Sequence, residues 1–289
     1  MKPRHVAAAV LVAVIWGIAF VVSKIGLQEF SAPQLTALRF AIASLAVLWL
    51  PMPAAPWTTV VLIGLTSFAG QFLLQFFGMA MGMPAGLTAV VVQLQALFTV
   101  VLAALFLTDR PNAQQGFALV VALAGVLMIV ATLGGGATVL AFTLTLASAL
   151  SWALGNILIK RLPRTDMLSL MAWSSLVPPL PALAISMIVD GPMQFAAALA
   201  SASWAGYAAA IYLGSLATVL GYAIWGRLLQ QYHAGAVAPF ALLAPCVGAF
   251  TSALVFHEAF EPLRMAGMAA ILLGVAITII PAGRWFRTA

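Results

Sequence analysis

Few polar side chains interrupt the apolar runs of this sequence, and most of them are uncharged. Gln71 and Gln75 stand four apart, one turn along a single helix face, while Gln93 and Asn156 each occupy the middle of an apolar stretch. Gln95 lies about 200° around a helix from Gln93, so the two cannot point at one cavity. An amide offers a donor and an acceptor together, which suits a zwitterionic solute carrying an ammonium and a carboxylate. Trp16, Phe20, Trp152, Tyr222 and Trp225 could add apolar walls and cation–π faces. Two readings of the amides stand side by side: solute contact, or hydrogen bonds between helices worth about 0.6–2 kcal/mol each. Trp16 and Trp152 sit about ten residues inside their apolar runs, which favours interior positions over interfacial anchoring.

Two cations and two prolines complete the candidate set. Lys24 lies about 12 Å beyond Trp16 along a helix, where it could snorkel to an interface. Arg39 is roughly two turns into an apolar run, and could pair with Glu29 or attract a carboxylate from a vestibule. Pro239 and Pro245 remove backbone hydrogen bonds within one run and, with Gly235 and Gly248, mark either a hinge or a static kink. Pro84 and Gly86 suggest a hinge at the start of another.

Other chemistries lack their residues. Glu29, Asp109, Asp166, Asp190, Glu258 and Glu261 all fall at the ends of apolar runs, so no carboxylate stands mid-run to couple a proton or sodium, and facilitated movement stays open. His257-Glu258-Ala259-Phe260-Glu261 has Glu where a zinc helix needs His. His5 and His233 show no ligand spacing, and the lone Cys246 forms no disulfide or thiolate cluster. Neither a nucleophile elbow nor a phosphate-binding loop occurs, and Gly134-Gly135-Gly136 reads as a turn. The expectation is a protein that is not an enzyme, with no metal and no cofactor.

The elements that hold these residues follow from composition. Of 289 residues, 64% are hydrophobic and 6% charged, far below the roughly 25% charged content of a soluble domain. A water-facing surface of that kind would not stay soluble, which excludes a cytosolic enzyme, a secreted scaffold and a nucleic-acid-binding protein. Ten spans of about 20 residues would use roughly 200 positions and leave only short loops. The apolar runs show no period-two alternation, so they are helices rather than barrel strands. They cover approximately Val6–Leu27, Pro33–Leu50, Thr58–Met79, Ala85–Leu107, Gln114–Leu133, Val139–Ile159, Met167–Val189, Trp204–Leu229, Gly235–Phe256 and Leu263–Pro281. Pro178, Pro179, Pro181 and Pro192 blur the boundaries between Val177 and Ser203. The first run is too long for a signal-peptide core and is expected to be a retained span.

Positive charge sets the direction. With the N-terminus inside, cytoplasmic segments hold Lys2, Arg4, Arg110, Lys160, Arg161, Arg164, Arg227, Arg284 and Arg287, while the outer side holds Arg264 alone. Both termini are thus expected in the cytoplasm. The net charge of +6 reflects insertion and calls for no anionic partner.

A duplication is also legible. Trp16 and Lys24 recur as Trp152 and Lys160, 136 positions later. Pro84-Ala85-Gly86-Leu87 aligns with His233-Ala234-Gly235-Ala236 at an offset of 149, which also pairs Asp109 with Glu258 and Gly125-Val126 with Gly274-Val275. Five spans per half is an odd number, so the second copy enters the membrane in the opposite sense. The expected architecture is an all-α integral membrane protein of ten transmembrane helices, built as two inverted five-helix repeats, 1–137 and 138–289. Such halves can exchange conformations around a central site, which points to transport.

Trp16-Gly17-x-x-Phe20-x-x-x-Lys24, Leu38-Arg39-Phe40, Pro84-Ala85-Gly86, Gln93-Leu94-Gln95-Ala96, Ser151-Trp152-Ala153-Leu154-Gly155-Asn156 and Tyr222-Ala223-Ile224-Trp225-Gly226 resemble the EamA family of the drug/metabolite transporter superfamily. The Gln-x-Gln and Pro-Ala-Gly elements are similar to the bacterial O-acetylserine/cysteine exporter group. Asp109-Arg110 departs from the family's usual Glu-Arg, a conservative change. The resemblance implies export of amino acids or related metabolites across a bacterial inner membrane, with a small-molecule substrate and membrane lipids as partners. Export of aromatic amino acids or hydrophobic cationic drugs is the alternative; an intramembrane enzyme or lipid-handling protein lacks visible reactive groups. Oligomeric state is not legible in the sequence.

Overall fold

The computed structural model describes residues 1–107, 111–133, 137–163, 165–232 and 234–279. Asp109, Arg110, the Gly134-Gly135-Gly136 turn, Arg164, His233, Pro281, Arg284 and Arg287 lie outside them. Among the described residues every regular element is helical. Eight helices are long and apolar enough to cross a membrane: α1 (Pro3–Gly26), α3 (Trp57–Ala80), α4 (Ala85–Phe106), α5 (Ala113–Val130), α6 (Val139–Lys160), α7 (Met167–Val189), α8 (Trp204–Gln231) and α9 (Pro239–Phe256). The runs expected as the second and tenth spans form shorter apolar helices, α2 (Ala32–Leu48) and α10 (Pro262–Thr278).

Local chemistry sets the ends. Ser31 caps α2 in a reciprocal box with Gln34, and Asn112 caps α5 the same way with Gln115. Asp166 accepts from the Ser169 N–H at the start of α7. Pro3 begins α1 three residues before the apolar run does, because its missing N–H costs nothing in a first turn. The proline-rich stretch folds differently from a plain span and loop: α7 breaks between Ser174 and Pro179, and a short helix, Gln194–Ser201, precedes α8.

The apolar surface faces outward. Leu105, Leu180, Ile188 and Trp204 are each at least 70% exposed, as side chains that meet lipid are. Inside, small residues let backbones approach: a Cβ on Gly125 of α5 would stand 2.6 Å from the Gly267 carbonyl of α10, and one on Gly267 2.8 Å from the Gly125 carbonyl. The α1–α9 contact has the same form around Gly17, whose Cβ would stand 2.7 Å from the Ala244 carbonyl.

Two interruptions of the first half recur in the second at offsets of about 149. The helix α3 widens to π-helical turns over Gly64–Gly70, and α8 does so over Tyr212–Leu220. Within α4 the regular helix stops at Val91 and resumes at Leu94, and the ninth run stops at Ala241 and resumes at Leu243. Pro239 and Pro245 bracket that second break, Pro239 exposed and Pro245 buried. The proline bend expected in this run is therefore a local interruption at Leu242.

Candidate functional site

Three of the five aromatic residues singled out from sequence, Trp16, Tyr222 and Trp225, begin a column of rings that continues through four phenylalanines. Ring centroids step from Trp225 to Trp16 (5.2 Å), Trp16 to Tyr222 (5.7 Å), Tyr222 to Phe68 (6.2 Å), Phe68 to Phe40 (4.9 Å), Phe40 to Phe72 (5.3 Å) and Phe72 to Phe76 (5.7 Å). The column crosses the interior from α1 and α8 to α2 and α3. Trp16 Nε1 donates to the Ala217 carbonyl at 2.9 Å, which satisfies the ring where it meets α8. Phe20 packs half-buried against the same core. Phe40, Phe68 and Phe72 were not singled out from sequence, because a phenylalanine in an apolar run carries no local mark of its neighbours.

Arg39 is the charged member of this interior. Its residue is 5% exposed, its guanidinium carbon lies 3.9 Å from the centroid of the Phe72 ring, and its Nε donates to Thr218 Oγ1 at 3.2 Å. Thr218 in turn donates to the Leu213 carbonyl, five residues back in the π-helical stretch of α8. Glu29 is not its partner: that carboxylate accepts from Ser203 Oγ and from the Ser203 N–H, bonds that hold its pKa below the ordinary value. Thr218 and Tyr222 also line a crevice of about 10 Å³ with Ala43, Met171 and Ser175, room for a single water.

The amides divide. Gln71 and Gln75 are both buried on α3, and Gln71 Oε1 has no hydrogen-bond partner, nor has the Ser67 hydroxyl one turn before it. Asn156 is committed to helix joining: its Nδ2 donates to Gln95 Oε1 at 2.9 Å and to Thr99 Oγ1 at 3.0 Å, which ties α6 to α4. Gln93 stands at the break in α4, and Trp152 is half-buried on α6. Gln93 and Gln95 thus have different surroundings, as their angular separation requires.

A second cluster closes one end of the bundle. Lys24 does not snorkel; its Nζ donates to Glu258 Oε1 at 2.8 Å and sits 4.4 Å from the centroid of the Phe256 ring. Glu258 Oε1 also accepts from the Ala85 N–H at 3.0 Å, while Oε2 accepts from the Gly86 N–H at 3.1 Å and from Ser252 Oγ at 2.5 Å. One carboxylate thereby joins the end of α1, the first turn of α4 and the end of α9. Burial pushes the Glu258 carboxyl up, but Lys24, Ser252 and the two N–H groups together hold it below the ordinary value. Gly86 permits the approach: a Cβ there would meet the Ala249 backbone and the Phe260 ring at 3.0 Å. The sequence marked Glu258 as the repeat partner of Asp109 and as part of a rejected zinc-like string; its convergence on Lys24, 234 residues away, has no local signal.

Nothing in this arrangement resembles a metal site; among the described residues no three His, Cys, Asp or Glu side chains gather. The interior holds a buried cation among aromatic faces, and on α3 a buried amide oxygen and a hydroxyl without partners, with a hydrogen-bonded cluster at one end of the bundle.

The sequence is similar to those of known transporters. The EamA-like transporter family profile matches residues 4–131 and again 139–280. A protein of Salmonella typhimurium named "Probable amino-acid metabolite efflux pump" is 38% identical over 94% of this chain and 93% of its own, and one of the same name from Escherichia coli is 36% identical over 96% of each. A "Probable terminal-alkyne amino-acid exporter" of Streptantibioticus cattleyicolor is 26% identical over 95% of this chain and 93% of its own. A protein crystal structure 17% identical, covering 96% of each chain, superposes with a TM-score of 0.61, a likeness of fold alone. With eight helices able to cross a membrane and these matches over nearly its whole length, the chain belongs to the EamA-like transporter family, and is a transporter rather than an enzyme on that ground.

Proposed function

We propose that this protein exports small amino acids or closely related metabolites across a bacterial inner membrane, by alternating access through the interior between α1, α2, α3 and α8. The observation that carries the reading is near-full-length likeness to two amino-acid metabolite efflux pumps, in a chain that buries amides and one arginine among aromatic faces. In this reading Gln71, Gln75, Gln93, Trp16, Phe20, Trp152, Tyr222 and Trp225 border the pathway, and Asn156 holds α6 against α4.

Ten spans, cytoplasmic termini and inverted halves complete the proposal. Support comes from the excess of Lys and Arg in alternate loops, from the two successive family matches, and from the π-helical turns and helix breaks that recur about 149 positions apart. With that orientation the Lys24–Glu258 cluster lies on the outer side. It acts as the outer gate, holding α1, α4 and α9 together, and the breaks in the fourth and ninth runs are where those helices would bend.

The test is an untargeted comparison of excreted metabolites in a bacterium with and without the gene. Excess amino acid or amino-acid derivative in the medium of the expressing cells supports the reading, and an unchanged amino-acid fraction rejects it. The aromatic column favours a second reading, export of aromatic or hydrophobic cationic compounds, which would show as protection from such compounds in the same cells.

A further inference from the structure

We infer that Arg39 is the contact for the carboxylate of the exported molecule, so that a free carboxylate is the group on which this carrier selects. The inference rests on the export reading above and adds the chemistry of its site.

Among the described residues the guanidinium is buried without a counter-ion. The ion pair Lys24–Glu258 is the one salt bridge among the described residues, and the remaining described carboxylates are engaged elsewhere or exposed. Glu29 binds Ser203, Asp190 accepts from Ser31 and Ser186, Asp166 accepts from Ser169 and Gln230, and Glu261 is exposed. A charge taken from water into an apolar interior is strongly unfavourable unless an opposite charge meets it. The Phe72 face and the Thr218 hydroxyl offset part of that cost but bring no negative charge. Among the described residues Arg39 makes no hydrogen bond beyond that from Nε, which leaves the two terminal nitrogens as a fork for end-on, bidentate capture of a carboxylate.

The surroundings suit the remainder of a small carboxylic acid. Tyr222 and Thr218 already border the adjoining crevice, and the aromatic column supplies faces for a short apolar side chain. One monovalent cation complements one carboxylate. A doubly charged phosphate would call for a second cation, and the nearest candidate by sequence, Lys24, is held by Glu258 at the end of the bundle.

The experiment uses the full-length protein in liposomes, with entry of labelled L-serine, L-cysteine and L-alanine against each amino acid inside, and unlabelled acid or its primary amide as competitor. In the wild type the acid should compete about 10- to 100-fold better than the amide, the range expected for a charge-assisted hydrogen bond in a buried site. Arg39→Lys should weaken the apparent affinity for the acid while keeping some preference, and Arg39→Gln should bring the acid-to-amide ratio near one at unchanged thermal stability. Equal competition by acid and amide in the wild type would overturn the inference and leave export intact, whether or not either variant folds. An unchanged ratio in a folded Arg39→Gln protein would overturn it as well. Failure of the wild type to move any of the three amino acids would overturn both the inference and the reading beneath it.

Discussion

Replacing Glu258 by Gln should open the outer side of this protein. The carboxylate accepts four hydrogen bonds, two from each side, whereas a Gln amide has one carbonyl oxygen. If that oxygen stays with Lys24 and Ala85, the NH2 group turns toward the Gly86 N–H, which loses its acceptor and faces another donor. A charge-assisted hydrogen bond of this kind is worth about 1.5–3 kcal/mol. The Lys24 side chain is 31% exposed, so its Coulombic share is small. A loss of about 2 kcal/mol from the closed arrangement corresponds to roughly a 30-fold shift toward the open one. The reporter is Ser23→Cys, a near-isosteric change at a buried site on α1 beside Lys24, in a Cys246→Ser background that removes the exposed native thiol. Labelling from outside with an impermeant thiol reagent should accelerate by about that factor in Glu258→Gln, and an unchanged rate would refute the gate. The sign with pH is defined too. A carboxyl held below its ordinary value stabilises the closed form at all pH above that of a free Glu, and the contribution is lost as pH falls through the depressed value. Wild-type labelling, taken relative to that of a free thiol at the same pH, should therefore stay flat from pH 8 to about 5 and rise only below the usual Glu range at about 4.3.

Related perturbations separate the parts of the account. Lys24→Met should open the gate less than Glu258→Gln, because the Ala85, Gly86 and Ser252 bonds survive; the charge swap Lys24→Glu with Glu258→Lys should not restore closure, since two backbone N–H donors would then face an ammonium, and rescue in the same labelling assay would contradict this. Gln71→Leu should leave thermal stability in detergent unchanged or raised by up to about 1 kcal/mol, since it removes an unpartnered buried oxygen, while lowering amino-acid flux in vesicles; undiminished flux would exclude Gln71 from the pathway. Gly125→Leu should lower stability by about 1–3 kcal/mol, because its Cβ would stand 2.6 Å from the Gly267 carbonyl and force α5 from α10; an unshifted unfolding midpoint would contradict that packing.

Much of the architecture could be read from residue order because a bilayer imposes simple rules. Helix positions followed from unbroken apolar runs, whereas the capping boxes of Ser31 with Gln34 and Asn112 with Gln115, which set two of their ends, went unread. The structure departs from those runs where proline competes with the membrane: α7 breaks before Pro179, and the segment after Pro192 becomes a helix of its own. The site was partly legible. Mid-run position pointed Gln71 and Gln75 to the interior, where both are buried with Arg39, because polar groups avoid lipid; the contacts of Trp16 with Tyr222 and with Trp225 came from the structure alone. Pairing was not legible. Asn156 finds Gln95, Arg39 finds Thr218, and Lys24 finds Glu258, each through helix packing that no local pattern records. The π-helical turns were equally silent, since a widened turn depends on how neighbours press on a helix more than on its own residues.

Counterflow tests the central claim most directly. Liposomes holding the purified protein and loaded with an unlabelled small amino acid are diluted into a trace of the same labelled amino acid. A carrier with one site exposed to each side in turn drives the label inward against its own gradient, so transient accumulation above equilibrium is the predicted result. Simple equilibration with no overshoot would contradict alternating access, and absence of entry for every amino acid tried would contradict the substrate class itself.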